Sequence, residues 1–392
     1  MDRITHRARN RSGLPAIYVG SLLLAFHWYI IAYVHSSFLA LFFSNSTIGI
    51  LYSVGALLNL ILLLLAPRIL KRTGNYRFII YFLCLELFAI AAMALGREPF
   101  IIALGFIAHG FSAPMILFSL DVSVENYTPD DRKTGGIRGL YLTLGNIALV
   151  ISPAIVALTI KGSDFSRIYL LSIFFLLPLF YVVTKHFKKL IDRHQVHIKI
   201  KETTGIFLRN KNLFNVFMAR FVLQFFYAWM VIYMPVYLFK NLGMPWSTIG
   251  FIFTIMLLPF IIFELPLGSL ADRRLGEKEI LILGFVIMGA STLLIPLVQS
   301  QEAFLWASLL FITRVGASFV EISTESFFFK HVDGHDANLI GFFRLNSPLA
   351  YIIAPLLASI ILFYTGLSSL FLILGIFVFS GIFFSLRIKD TR

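Results

Sequence analysis

The sequence predicts an all-α integral membrane protein: twelve transmembrane helices arranged as two pseudo-symmetric bundles of six. Three observations carry that reading. The 392 residues are 58% hydrophobic and only 14% charged, against about half apolar and a quarter charged in a soluble domain. The apolar residues gather into roughly twelve runs of about 20, each long enough to cross a hydrocarbon core as a helix. The second half of the chain also repeats the first.

The runs fall at 14–40, 47–67, 77–96, 99–122, 135–160, 167–187, 213–239, 247–270, 279–299, 302–327, 338–363 and 367–387. They are too long and too continuous for the alternating strands of a β-barrel. The first follows MDRITHRARNRSG, a basic stretch like the start of a signal peptide. Its apolar run is longer than a signal core and lacks a small-x-small cleavage site, so an uncleaved first helix is expected. Cys84 is the single cysteine and lies inside an apolar run, which excludes an intramolecular disulfide and a CxxC metal site.

Orientation follows from Lys and Arg. With the N-terminus inside, 26 of the 33 basic residues fall in cytoplasmic segments and only Arg97, Lys161, Arg167 and Lys240 outside. So lopsided a distribution predicts both termini in the cytoplasm, with the bacterial cytoplasmic membrane as the expected location. Topology accounts for the net charge of +13, and no nucleic-acid partner is needed to explain it.

Residues 26–49, FHWYIIAYVHSSFLALFFSNSTIG, align without a gap to 227–250, YAWMVIYMPVYLFKNLGMPWSTIG. Trp28 falls on Trp229, and Ser46-Thr47-Ile48-Gly49 on Ser247-Thr248-Ile249-Gly250, whose Ser and Thr suit helix N-capping. A nearly constant offset sets Gly74 against Gly276, Asp121-x3-Glu125 against Glu321-x3-Glu325, and Pro153 against Pro355. The two prolines mark expected bends. The organisation is a tail (1–13), a six-helix bundle (14–187), a basic linker (188–212), a second bundle (213–387) and a short tail (388–392). Parallel halves of this kind are a transporter architecture. For the linker, an amphipathic piece on the anionic leaflet and a solvated loop are both open.

Between two apolar spans stands ELPLGSLADRRLGEKE (264–279). Its Gly268-x2-Ala271-Asp272-Arg273-Arg274-x-Gly276-x-Lys278 resembles the loop signature of the major facilitator superfamily, and the repeat, linker and span count match that family over essentially the whole chain. The first-half copy, APRILKRTGNYR, keeps the basic residues and Gly74 but has Leu70 where Asp272 would fall. The resemblance implies a releasable cytoplasmic clamp, asymmetric here. Asp272 would meet the start of the fifth span near Arg138, where a helix dipole is positive. Arg273 and Arg274 would meet Glu321 and Glu325, one turn apart on the tenth span. Asp121 and Glu125 would meet Lys71 and Arg72, with Arg344 closing that set. Gly268 and Gly276 would let the backbone turn closely. The plainer alternative is that these charges only set topology.

The resemblance further implies that spans one, four, seven and ten line a central cavity. Near mid-depth on these lie His27, Trp28, His109, Gln224, Tyr227, Trp229 and Arg314, the candidate substrate-binding residues. An ionisable group there needs a reason. Arg314 offers a permanent planar charge to a carboxylate or phosphate, or pairs with Glu321 two turns on. His27 and His109 suit binding or proton relay, or bond a carbonyl. Glu264 is assigned to the charged loop; Glu86 is a peripheral acid without an account.

The functional expectation is a secondary transporter moving a small anionic, zwitterionic or neutral polar solute by alternating access, with the proton as coupling ion. The alternative is an efflux pump for amphipathic compounds. No Walker, HExxH, GxSxG or paired metal-ligand pattern points to an enzyme, a cofactor or a metal. The expected partners are the small-molecule substrate and the lipid bilayer, with the protein a monomer. In a Cys84→Ser background, cysteines at positions 278 and 240 are expected to label from opposite sides of the membrane. Labelling from one side would break the topology.

Overall fold

The computed structural model describes residues 2–126, 131–190, 200–263, 276–332 and 337–389. Helices stand on all twelve predicted spans. In chain order they are α1 (Asp2–Ala32) with its continuation α2 (Val34–Leu39), α3 (Asn45–Thr73), α4 (Asn75–Leu95), α5 (Pro99–Asn126), α6 (Asp131–Thr159) and α7 (Ser166–His186). After a short α8 (Ile200–Arg209) come α9 (Lys211–Val236), α10 (Trp246–Ile262), α11 (Glu277–Leu294) and α12 (Ala303–His331). A short α13 (Ala337–Arg344) leads into α14 (Asn346–Tyr364), and α15 (Leu367–Leu386) closes the chain. Ten helical stretches are long and apolar enough to span a membrane; Thr143–Thr159 within α6 and α10 are shorter apolar pieces. Helices α6 and α14 run on through Pro153 and Pro355.

By packing, the chain divides into two units: Met1–His35 with Val54–Val196, and Ser36–Ser53 with His197–Arg392. The same arrangement recurs inside each. In the first, α1 packs on α5, α6 and α7, and α4 packs on α5 and α7. In the second, α9 packs on α12, α14 and α15, and α11 on α12 and α15. Large apolar side chains such as Phe88, Leu158, Phe304 and Phe363 stay exposed, as lipid-facing surface requires.

Residues 36–53 belong to the second unit because serines there bond it. Ser46 Oγ donates to the Ser359 carbonyl at 3.0 Å, Ser359 Oγ donates back to the Ser46 carbonyl at 2.8 Å, and Ser53 Oγ donates to the Ile352 carbonyl at 2.9 Å. This corrects the capping assignment. Ser44, not Ser46, takes the Thr47 N–H at 3.2 Å, and α10 starts after Pro245 with no side-chain cap. The linker forms α8, whose Phe207 is buried against Phe217, Phe328 and Phe342 while Ile206 and Leu208 stay exposed.

The two loop glycines differ. Gly74 has φ 76° and ψ 156°, a region open essentially to glycine alone. Gly276 has φ −49°, which any L residue adopts, so the turn assigned to it does not require glycine. Gly74→Ala is therefore expected to cost about 1–3 kcal/mol and Gly276→Ala far less. Thermal unfolding in detergent reads the difference; equal losses would contradict it.

Candidate functional site

Two buried polar clusters occupy the spans where the sequence placed its candidates, one in each unit. In the first unit, Glu86 on α4 is fully buried inside one of the most apolar helices of the chain. Its Oε1 accepts from His27 Nε2 at 2.8 Å and from His109 Nδ1 at 2.6 Å, and Ser112 Oγ donates to Oε2. His27 is fully buried and its Nδ1 faces Ser172 on α7, 2.7 Å from the hydroxyl and 3.2 Å from the carbonyl. Four helices thus converge on one carboxylate and its histidines. The burial of a carboxylate is tolerable because donors reach both of its oxygens.

The cluster continues beyond His109. The His35 ring lies 4.7 Å from that of His109, and His35 Nδ1 is 3.0 Å from the Tyr169 hydroxyl. His35 Nε2 is buried with no hydrogen-bond partner among the described residues. Trp28, half-buried, stands 6.0 Å from His109, ring to ring. The ligating atoms of His27, Glu86 and His109 all lie within 4.8 Å of one another, close enough to share one cation; among the described residues no other group of histidine, cysteine or carboxylate side chains does this.

In the second unit, Arg314 on α12 is 2% exposed, yet its Nε and Nη1 have no hydrogen-bond partner among the described residues. The guanidinium rests on the rings of Phe226, at 5.1 Å, and Tyr227, at 5.5 Å. Such cation–π contact softens the desolvation of the charge but leaves its N–H donors unused. Glu321, the internal partner considered for it, is otherwise engaged. Tyr227 Oη donates to Glu321 Oε2 at 2.8 Å, and Arg220 Nη2 lies 3.0 Å from both Glu321 Oε1 and Glu325 Oε1. Arg314, Tyr227, Glu321, Arg220 and Glu325 form one connected line between α12 and α9. Gln224 is buried on α9 beside it. Trp229 is buried too, but its indole N–H is committed to the Ala354 carbonyl at 2.6 Å, so it ties α9 to α14.

The sequence pattern of the Major Facilitator Superfamily matches residues 17–250 and 216–392. The chain belongs to the Major Facilitator Superfamily. It is accordingly an integral, multi-pass secondary transporter for a small molecule, and not an enzyme. Among curated proteins, sequence comparison finds no match. Solved structures share the fold at low identity. The nucleoside transporter NupG superposes with a TM-score of 0.78 at 14% identity, over 96% of this chain and 99% of that one. A point mutant of NupG gives 0.75 at 14%, over 96% and 100%. A bacterial homologue of the human lysosomal transporter Spinster, inward-facing and unoccupied, gives 0.70 at 10%, over 96% and 95%.

Of the superfamily loop signature, Asp272, Arg273 and Arg274 lie outside the described residues, as do the side chains of Glu125 and Arg138. Asp121 is half-buried near the end of α5, and Arg344 is exposed at the end of α13. The residue after each loop glycine pins a third-span helix to a fourth. Asn75 donates to the Ser119 carbonyl at 3.1 Å and Ser123 Oγ at 2.8 Å; Glu277 accepts from Ser326 at 3.2 Å and from Lys330. The first pin is neutral and the second ionic.

Two site residues escape the sequence reading. Glu86 reads there as a peripheral acid, yet it is the hub of the first cluster. The signal is present: an acid midway along an apolar run needs donors at its own depth, and His27 and His109 stand there. Arg220, inside the predicted span 213–239, receives no role from the sequence, although Glu321 and Glu325 one turn apart call for a base. Arg220→Gln removes the base that Glu321 and Glu325 share, leaving Glu321 the Tyr227 hydroxyl, and is expected to cost about 1–3 kcal/mol, partly restored by Lys. Arg314→Met removes a buried charge with no protein hydrogen-bond acceptor at Nε or Nη1 and is expected to raise the unfolding midpoint. Thermal melts read both; a stabilised Arg220→Gln or a strongly destabilised Arg314→Met would contradict the pairing.

Proposed function

We propose that this superfamily member moves a small anionic or zwitterionic solute across the membrane by alternating access, driven by the proton gradient. The moving bodies on this reading are the bundles 14–187 and 213–387. The observation that carries it is Arg314. A guanidinium so buried is held at a cost of several kcal/mol unless something compensates it. Two of its donor atoms face no acceptor among the described residues, so a carboxylate or phosphate group of the solute is the natural counter-charge. A planar fork suits either group in two-point contact. A neutral solute would leave the charge uncompensated, which favours the anionic and zwitterionic classes.

Tyr227 is the neighbour that would sense the solute. Its ring lies under Arg314 while its hydroxyl holds Glu321, so an anion drawing the guanidinium off the ring perturbs the Arg220–Glu321–Glu325 line. Gln224 supplies a neutral donor and acceptor on the same helix. The test is a thermal-shift screen of the purified protein against small carboxylates and phosphates, followed by uptake into proteoliposomes with and without an inward proton gradient. A stabilising anion is expected, with the shift lost in Arg314→Gln and weakened in Arg314→Lys. Stabilisation by cations or neutral amphiphiles that is indifferent to Arg314 would overturn the reading and favour export of amphipathic compounds.

A further inference from the structure

We infer that His27, Glu86, His109 and Ser172 form a built-in proton-binding site of the first unit, taking up and releasing one proton without moving a heavy atom. This deepens the proposed transport reading and rests on it for the use of that proton in coupling; the binding itself does not.

Glu86 is fully buried and accepts three hydrogen bonds, from His27 Nε2, His109 Nδ1 and Ser112 Oγ. Those two imidazole hydrogens are spoken for, which leaves His27 Nδ1 and His109 Nε2 for a further proton, and at His27 Nδ1 the described residues supply partners for both states. Around it the protein offers both partners a titrating nitrogen needs. When Nδ1 is bare, the Ser172 hydroxyl donates to it across 2.7 Å. When Nδ1 carries a proton, it donates to the Ser172 carbonyl at 3.2 Å or to the hydroxyl oxygen, and the Ser172 hydroxyl turns to the His27 carbonyl at 3.0 Å. Only a hydroxyl hydrogen rotates. Each state is fully satisfied, which an ordinary structural histidine with one fixed acceptor is not.

With both imidazoles neutral, the cluster carries the single negative charge of Glu86, spread over three donors. After uptake at His27 Nδ1 it is an imidazolium–carboxylate pair of net charge zero. The same three donors hold the Glu86 carboxylate in both states. The titratable groups facing the site are His109 and His35, with Tyr169 behind His35. No other ionisable side chain is recorded against it among the described residues. Glu86 and His27 have no exposed surface, whereas His109 is 7% exposed. His109 is thus the member of the cluster with exposed surface, and the His35 ring, with its unpartnered Nε2, lies beside it.

The test needs no substrate. Proton uptake of the full chain in lipid nanodiscs is measured between pH 8 and pH 5 for wild type, Glu86→Gln, His27→Gln and Ser172→Ala. Each of the first two variants is expected to take up about one proton fewer than wild type. Ser172→Ala keeps all three donors to Glu86 and is expected to shift the midpoint of that uptake at unchanged count. Thermal melts at pH 8 show which variants fold; should Glu86→Gln not fold, His27→Gln and Ser172→Ala decide. Equal uptake in His27→Gln and wild type, or an unshifted midpoint in Ser172→Ala, overturns the inference. So does uptake of one Zn2+ per chain that Glu86→Gln abolishes, which would make the cluster a metal site. A proton count that behaves as expected while Arg314→Gln leaves the anion screen unchanged would retain this site and discard the anionic substrate.

Discussion

A charge inside hydrocarbon has to be answered by another group, and this constraint organises both units. Glu86 is answered by the protein itself, through donors on α1 and α5 that meet α4 at one depth. Arg220 is answered by Glu321 and Glu325. Arg314 is not answered by hydrogen bonds at Nε or Nη1 among the described residues; its recorded contacts are two aromatic faces. Two of the three charges thus bridge helices, and the third is the one on which the proposed solute site is built.

Duplication supplied the frame, and divergence supplied the chemistry. Each unit packs its first helix against its fourth, fifth and sixth, or the counterparts of these, and its third against its fourth and sixth. Within that common frame Trp28 sits beside His109, whereas its counterpart Trp229 spends its N–H on the Ala354 carbonyl. Asn75 pins the first unit with neutral hydrogen bonds while Glu277 pins the second with Lys330. Gly74 is forced by its backbone and Gly276 is not. One unit carries the carboxylate–histidine cluster and the other the buried guanidinium.

Much of this is legible in the chain. Runs of 20 apolar residues can only be helices in lipid, so composition, repeat and the 264–279 loop already determine the spans and the family. Candidate residues are legible one at a time, by depth along a span. What cannot be read is pairing, because rotation of each helix about its axis decides which of several residues at a given depth face each other. His27 and His109 are visible, but their convergence on Glu86 needs the packing of α4 against α5 and α7. Arg314 is visible, but its two unused donors appear only once Glu321 is seen bonded to Tyr227 and Arg220. The serines at 44 and 46 show the same limit on a smaller scale, since a shift of two residues separates a helix cap from a bond to α14.

The proposed transport function turns on Arg314 being open to a ligand. The most direct measurement is an experimental structure, resolving every side chain, determined with the anion that stabilises the protein most. Non-protein density within hydrogen-bonding reach of Arg314 Nε and Nη1 is the predicted result. A carboxylate of the chain on that guanidinium in the presence of the anion, such as Glu264 from the stretch outside the described residues, would contradict it.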